Sequence, residues 1–167
     1  MKYQLYSHAL KFCIFLALAT LTRAAKAQTS PSAPPIPGTT EDSVKAAVNR
    51  LFIAMKNADG DELKAAFTDS AILQTIFTDK DGKTGVHNYP VADFAGAISR
   101  LPNGAADERI QFDVVRIDGP LAIVWAPYRF YYNGKLTHCG IDSFQLLRVG
   151  GVWKILYIVD TRRKDCE

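Results

Sequence analysis

Apolar residues in the first half of the chain recur at spacings of three and four, which is typical of amphipathic helices. The first stripe consists of Val44, Val48, Leu51, Phe52 and Met55. A short second helix is predicted from Asp61, and a third begins at Pro90, because proline is favoured in the first turn. Between these helices, residues 71–78 and 83–89 are predicted to pair as strands around a turn at Asp81-Gly82.

From residue 110 onwards the pattern changes to alternation of apolar and polar residues, with a turn signal after each run. The predicted strands are 110–117, 121–132, 135–148 and 152–162. Helices that come first and a meander of long strands that comes last indicate an α+β fold. We therefore expect a curved antiparallel sheet wrapped on three N-terminal-side helices.

The Asn133-Gly134 dipeptide is a strong signal for a two-residue hairpin loop, and it fixes a strand register. If Tyr132 lies opposite Lys135, one face of the sheet can be read off, because side chains alternate along a strand. That face is predicted to carry Leu121, Ile123, Trp125, Arg129, His138, Asp142, Phe144, Leu146, Ile155 and Tyr157. It is apolar at one end and polar at the other.

The polar end of this face is a candidate small-molecule site, because apolar walls with a few polar groups are typical of ligand pockets. The candidate ligand-binding residues are Trp125, Arg129, His138, Asp142 and Tyr157. A carboxylate beside an indole can have a raised pKa, so Asp142 or His138 is also a candidate general acid or base. A purely structural pairing of these polar groups, and core packing of Trp125 and Tyr157, remain open.

The opposite face also has an apolar character and is expected to face water, which favours a partner such as a second copy of the sheet. Its predicted residues are Val124, Ala126, Tyr128, Phe130, Tyr132, Ile141, Leu156 and Ile158. A homodimer through this outer face is expected, and an assembly role is a further alternative. A register shift of one residue would exchange the two faces.

The N-terminal segment is typical of a cleaved signal peptide over residues 1–27, with basic residues, a short apolar run and Ala25-Lys26-Ala27 as the cleavage site. Residues 28–40 are a Pro-rich linker and 41–167 the domain, so we expect an exported protein, periplasmic or secreted. Removing the leader lowers Lys+Arg from 20 to 16 against 17 Asp+Glu, a net charge of −1. No basic stripe remains for nucleic acid, and no membrane contact is expected after cleavage.

Cysteine and histidine usage limits the remaining chemistry. Cys139 and Cys166 are free to form a bridge in an oxidising compartment, and the sequence leaves this open. His87 and His138 lie in separate segments without the close spacing of a catalytic zinc site, so no metal is expected. No nucleophile elbow, phosphate-binding loop or nucleotide fingerprint is present, and no cofactor is expected.

Three segments carry a resemblance to a known family: residues 138–146 (HCGIDSFQL), 153–155 (WKI) and 160–163 (DTRR). Over residues 41–166 the chain resembles the "putative lumazine-binding" branch of the nuclear transport factor 2-like superfamily. The resemblance implies a cone-shaped, cystatin-like roll with a pocket at its open end, which often dimerises through its sheet. Similar cones occur in ketosteroid isomerases, polyketide cyclases and dehydratases, but also in binding-only and assembly domains.

Fold alone does not settle function. The expected function is an exported domain whose partly apolar pocket binds a small molecule without catalysis. The first alternative is an isomerase, dehydratase or hydrolase that uses Asp142 or His138 as general acid or base. The second is a dimerisation or assembly domain.

Overall fold

Three helices and seven strands make up residues 41–166, which are the residues that the computed structural model describes. The helices are α1 (Glu41–Lys56), α2 (Gly60–Ala65) and α3 (Val91–Ile98). The strands are β1 (Phe67–Thr78), β2 (Thr84–Tyr89), β3 (Ala106–Ile110), β4 (Val114–Asp118), β5 (Leu121–Tyr132), β6 (Lys135–Val149) and β7 (Val152–Thr161). The predicted signal peptide and linker lie outside the described residues.

Local sequence explains how the helices begin and how closely they pack. In α1 an ion pair of 2.6 Å joins Lys45 to Glu41 one turn earlier. Asp59 caps α2 by accepting a hydrogen bond from the Glu62 amide at 2.9 Å. A Cβ atom at Gly60 would lie 2.6 Å from the Ala95 carbonyl oxygen, so this glycine lets α2 approach α3.

The sheet is mixed, in the order β2-β1-β7-β6-β5-β3, with β4 also paired to β5. Every pairing is antiparallel except that of β1 with β7, which is parallel. The α+β class and the three helices are confirmed, whereas the expectation of a wholly antiparallel sheet is wrong at this one pair. The two strands stand at opposite ends of the domain sequence, so the chain between them is long enough for a parallel crossover.

The hairpin between β5 and β6 begins in the predicted register and then leaves it. Tyr132 lies opposite Lys135, and Asn133 and Gly134 have the positive φ angles (49° and 75°) of the predicted tight turn. Thr137 is then an extra residue without a partner on β5, so His138 faces Phe130. This β-bulge shifts the rest of the hairpin by one residue. The predicted register is therefore wrong beyond Thr137.

A second bulge lies between β6 and β7. Leu146 faces Ile155 as predicted, but Gln145 faces Tyr157, which leaves Leu156 as the extra residue. Beyond it, Ile158 and Asp160 turn towards the helices, where they are buried. Tyr157 consequently departs from the predicted inner face.

Burial shows which face the helices cover. On β6 the inner face is as predicted: Asp142, Phe144 and Leu146 are buried. On β5 the two faces are exchanged, because Thr137 displaces the register. Four residues that were predicted to face outwards are buried: Val124, Ala126, Tyr128 and Ile158. Four others that were predicted to face inwards are exposed: Leu121, Ile123, Trp125 and Arg129.

The C-terminal tail is fixed to β6 by a disulfide bond between Cys139 and Cys166, whose Cα atoms lie 5.8 Å apart. Cys139 and Arg163 also exchange two backbone hydrogen bonds, of 3.0 Å and 2.9 Å. The question that the sequence left open is thus answered by a tail that turns back across β6. None of the helices within residues 41–166 is both long and apolar enough to cross a bilayer.

Candidate functional site

A cavity of about 270 Å³ lies between the helices and the inner face of the sheet. Its walls are mainly aromatic and aliphatic: Leu51, Phe52, Met55, Phe67, Leu73, Phe94, Ile98, Phe130 and Ile158. The polar lining residues are Thr75, Tyr89, Glu108, His138, Asp142, Asp160 and Arg162. An apolar chamber with a group of polar side chains fits the general form of a small-molecule site.

Two aspartates lie side by side at the polar end. Asp142 on β6 is the direct cross-strand partner of Asp160 on β7. They are 2% and 8% exposed, and Oδ2 of Asp142 and Oδ1 of Asp160 have no hydrogen-bond partner in the described part of the chain. Like charges directly opposite each other destabilise a sheet, and buried acceptors without a donor are costly. This pair is therefore unfavourable for folding alone.

Tyr128 binds the other oxygen of Asp160. Its hydroxyl lies 3.2 Å from Asp160 Oδ2 and 3.0 Å from the Thr161 carbonyl oxygen, and it is the donor to both. Gly140, opposite Tyr128 on β6, leaves room for this reach, since a Cβ atom there would lie 2.8 Å from the tyrosine ring. Burial and the negative charge of Asp160 raise the pKa of Tyr128, which keeps its hydroxyl protonated.

Glu108 on β3 is the third member of what we call the carboxyl cluster: Glu108, Asp142 and Asp160. Burial of its carboxyl group, aided by the charge of Asp160, raises the pKa of Glu108 to about 7, although a hydrogen bond with Asp142 opposes this. Burial and the charges of Glu108 and Asp160 raise the pKa of Asp142 well above its usual value. The hydrogen bond between Glu108 and Asp142 therefore joins two carboxyl groups that can share one proton.

Arg162 and His138 complete the polar end. Arg162 Nη2 lies 3.6 Å from Asp160 Oδ2, and its side chain is largely exposed to solvent. The His138 ring stacks on Phe130 with centroids 4.7 Å apart and meets Tyr128 edge-on at 5.8 Å. Burial and the positive charge of Arg162 lower the pKa of His138 to about 4, so the imidazole is neutral at neutral pH.

The site can therefore hold a proton between carboxyl groups and can accept hydrogen bonds from a guest molecule. Three acidic side chains face one guanidinium group, so the polar end favours cationic or donor-rich groups. Within residues 41–166, no group of three or more His, Cys, Asp or Glu side chains is arranged to hold a metal ion.

Two of the five sequence-predicted ligand-binding residues, His138 and Asp142, line the cavity. Trp125 and Arg129 lie on the outer face, where Trp125 is 45% exposed, because the Thr137 bulge reverses the orientation of β5 relative to β6. Tyr157 lies outside the cavity after the second bulge, and its hydroxyl donates to Gln74 Oε1. The structure therefore does not bring these five side chains together, and their role in ligand binding stays a prediction.

The sequence prediction missed six polar residues of the site: Thr75, Tyr89, Glu108, Tyr128, Asp160 and Arg162. An available signal was Asp160, an acidic residue at the end of the apolar run Ile155–Val159. Glu108 gave no signal, because it precedes the segment predicted as a strand. Tyr128 was assigned to the outer face by the unshifted register.

Comparison with known proteins agrees with the architecture. A family described as "putative lumazine-binding" matches residues 39–159. A nuclear transport factor 2-like protein of unknown function from Shewanella baltica OS155 is 18% identical, with a TM-score of 0.56, over 74% of this chain and 94% of that one. One from Methylobacillus flagellatus KT is 22% identical, with a TM-score of 0.55, over 74% and 91%.

A domain of unknown function with a cystatin-like fold from Nostoc punctiforme PCC 73102 is 17% identical, with a TM-score of 0.57, over 74% of this chain and 77% of that one. At these identities the structures establish the shared fold. No curated protein is significantly similar to the chain.

Proposed function

The chain belongs to the family described as "putative lumazine-binding", and from that premise we propose that its cavity binds a small, partly apolar molecule without chemical conversion. The observation that carries the proposal is the cavity itself: an apolar chamber of about 270 Å³ whose polar end holds buried carboxylate oxygens without donors. A guest molecule would bury its apolar surface against the walls and supply the missing donors.

The size of the cavity supports a compact ligand. Pockets for drug-sized molecules typically measure about 300–1,000 Å³, so this chamber suits a molecule of one or two fused rings. Phe52, Phe67 and Phe94 supply aromatic wall surface from α1, β1 and α3, against which a flat ring system can pack.

The proposal is tested by thermal unfolding of the protein against pteridines, flavins, sterols and polyketide-like aromatics. A ligand that binds only the native state adds about 2.7 kcal/mol at a hundred times its dissociation constant, which raises Tm by several degrees. The rise should be lost in Leu73→Trp, which fills the chamber, and kept in Trp125→Ala on the outer face. A flat response across the panel would contradict the proposal.

Acid–base catalysis is the second candidate function, and the shared proton of Glu108 and Asp142 favours it. A general acid or base works best with a pKa near the working pH, and Glu108 has a pKa of about 7. His138 is less suited to this role, because its pKa is about 4. Turnover with an apparent pKa near 7, abolished in Glu108→Gln, would favour an enzyme.

The exposed outer face supports a homodimer as a further part of the proposal. Leu121, Ile123 and Trp125 project from β5 at alternate positions, each 43–45% exposed. Their β6 neighbours are the uncharged Leu147, Gln145 and Ser143. On the other border, β4 places Arg116 beside Ile123 and Asp118 beside Leu121. A second copy related by a twofold axis can cover the apolar surface while these opposite charges remain at its edge.

Export completes the proposal. A disulfide such as Cys139–Cys166 is typical of oxidising compartments and rare in the cytosol, which supports a site of action outside the cytoplasm. Cell fractionation and the mass of the mature N-terminus test this. A protein that keeps residues 1–27 and stays with the cytosolic fraction would contradict export.

A further inference from the structure

The two facing aspartates indicate what kind of ligand the cavity takes. We propose that the ligand presents an edge with two adjacent N–H donors, as in an amidine, a guanidine or a 2-amino-4-oxopyrimidine ring, to Asp142 and Asp160. This inference rests on the proposed function, since it names the ligand class for the same cavity.

The residues that the structure describes do not supply the N–H or hydroxyl donors that these oxygens need. Tyr128 and Arg162 both approach Oδ2 of Asp160, which leaves Oδ1 without a partner. Oδ2 of Asp142 is likewise buried and accepts no hydrogen bond from an N–H or hydroxyl group of residues 41–166, while the hydrogen bond between Asp142 and Glu108 joins two carboxyl groups. Arg162 is the one guanidinium or ammonium group among the lining residues of the described chain. A ligand with two donors would therefore satisfy acceptors that folding leaves open.

Strand geometry brings the two acceptors together. Asp142 and Asp160 are direct cross-strand partners, and in such a pair the Cβ atoms lie about 4.5–5.5 Å apart on the same face. Two neighbouring carboxyl groups match a planar edge with adjacent N–H donors, and charge assistance makes such hydrogen bonds stronger than neutral ones. A ligand with a single acceptor oxygen would meet repulsion at the same place.

The walls near the aspartates favour a flat ring. Phe130 and His138 stack with an angle of 28° between their planes, and both line the cavity. The cavity thus offers hydrogen-bond acceptors for the polar edge of the ligand and an aromatic surface for the ring system behind that edge. Among pteridines, pterin carries a 2-amino group beside an N–H, whereas lumazine carries a carbonyl oxygen at that position. The carboxyl cluster should therefore select pterin over lumazine.

The test is isothermal titration calorimetry of the protein with pterin, lumazine and benzamidine. Pterin is expected to bind at least about tenfold more tightly than lumazine, the factor that 1.4 kcal/mol represents. The isosteric Asp142→Asn substitution should weaken pterin and benzamidine binding by about tenfold or more, while lumazine binding stays unchanged or improves. Circular dichroism confirms that the variant folds.

Asp107→Asn is the matched control, because Asp107 is also a buried aspartate but is paired with Arg109 and Lys56 and does not line the cavity. It should leave all three affinities unchanged. Lumazine binding as tight as that of pterin, or pterin binding that both Asp142→Asn and Asp160→Asn leave intact, would overturn the ligand class and leave the proposed function standing. If neither pterin nor benzamidine binds, the inference fails, and the wider panel decides the proposed function separately.

Discussion

Asp142 on β6 and Asp160 on β7 face each other directly across the sheet, and each keeps one buried carboxylate oxygen to which no group of residues 41–166 donates a hydrogen bond. Within a folded core this arrangement costs free energy, because like charges repel and unpaired acceptors lose their water. Residues that lower stability in this way often belong to functional sites, where a ligand offsets the cost.

Relief of the repulsion should stabilise the protein. We expect Asp142→Asn to raise the free energy of unfolding at pH 8 by about 0.5–2 kcal/mol, the range typical of single stabilising substitutions. An asparagine keeps the shape, removes the charge and can donate to Glu108. Denaturant unfolding measures the change. Asp107→Asn is expected to lower the free energy of unfolding, because the Asp107 carboxylate is paired with Arg109 and Lys56. If both substitutions destabilise the protein equally, the repulsion between Asp142 and Asp160 is contradicted.

Glu108 should make stability fall as pH rises. The unfolded chain loses this proton near pH 4.5, whereas the native protein keeps it until about pH 7. The native state thus binds more protons between these values, so the free energy of unfolding decreases with rising pH. Glu108→Gln should flatten that decrease between pH 4.5 and 7. If the free energy of unfolding changes with pH in the same way in the native protein and in Glu108→Gln, Glu108 ionises normally in the native state.

His138 should act in the opposite direction. Its pKa falls from 6.5 to about 4 in the native protein, so the unfolded chain binds more protons between these values. This part of the stability therefore rises as pH increases from 4 to 6.5. In His138→Gln the free energy of unfolding should no longer rise between pH 4 and 6.5, and only the decrease that Glu108 causes should remain. Chemical unfolding midpoints across this range, with Glu108→Gln measured beside it, separate the two contributions.

Loss of the disulfide should destabilise the fold. Joint replacement of Cys139 and Cys166 by alanine is expected to lower the free energy of unfolding by about 2–4 kcal/mol, because the bridge restricts the unfolded chain. A reducing agent should lower the Tm of the native protein but leave that of the double variant unchanged. Insensitivity of the native protein to reduction would mean that the bridge does not form in solution.

The outer face provides a test of the dimer. Trp125→Lys should place a charge within the surface formed by Leu121, Ile123 and Trp125 and shift the protein to monomers in sedimentation velocity. Thr137→Lys, at the exposed bulge near the hairpin turn, is the control and should not change the sedimentation coefficient. A native protein that remains monomeric at high concentration would contradict the dimer.

The sequence predicted the three helices and most strands, but it predicted one strand over 110–117 where the structure has β3 and β4, and it did not give the faces. Periodicity located the helices, and Asn133-Gly134 located the central hairpin with its first residue pair correctly. The bulges at Thr137 and Leu156 carry no such signal, because neither is a glycine or lies in a turn motif. Each bulge reverses the side-chain orientation of a strand relative to its neighbour, which removed Trp125 and Tyr157 from the predicted site.

The same bulges explain why only part of the site was predictable. His138 and Asp142 lie on β6, whose inner face was assigned correctly, whereas Asp160 reaches the cavity only after the extra residue at Leu156. Glu108 reaches the cavity because β3 pairs with β5, which places Glu108 opposite Phe130. This contact joins residues that are far apart in sequence. Such long-range pairings are set by tertiary packing rather than by local pattern.

The most direct test of the central claim is a titration of the isotope-labelled protein with pterin followed by nuclear magnetic resonance. A ligand in the cavity should shift the amide signals of His138 and Asp142, while the indole signal of exposed Trp125 and the amide signal of Arg50 on α1 stay in place. Shifts confined to the outer face, or no shifts with any member of the panel, would contradict a binding function for the cavity.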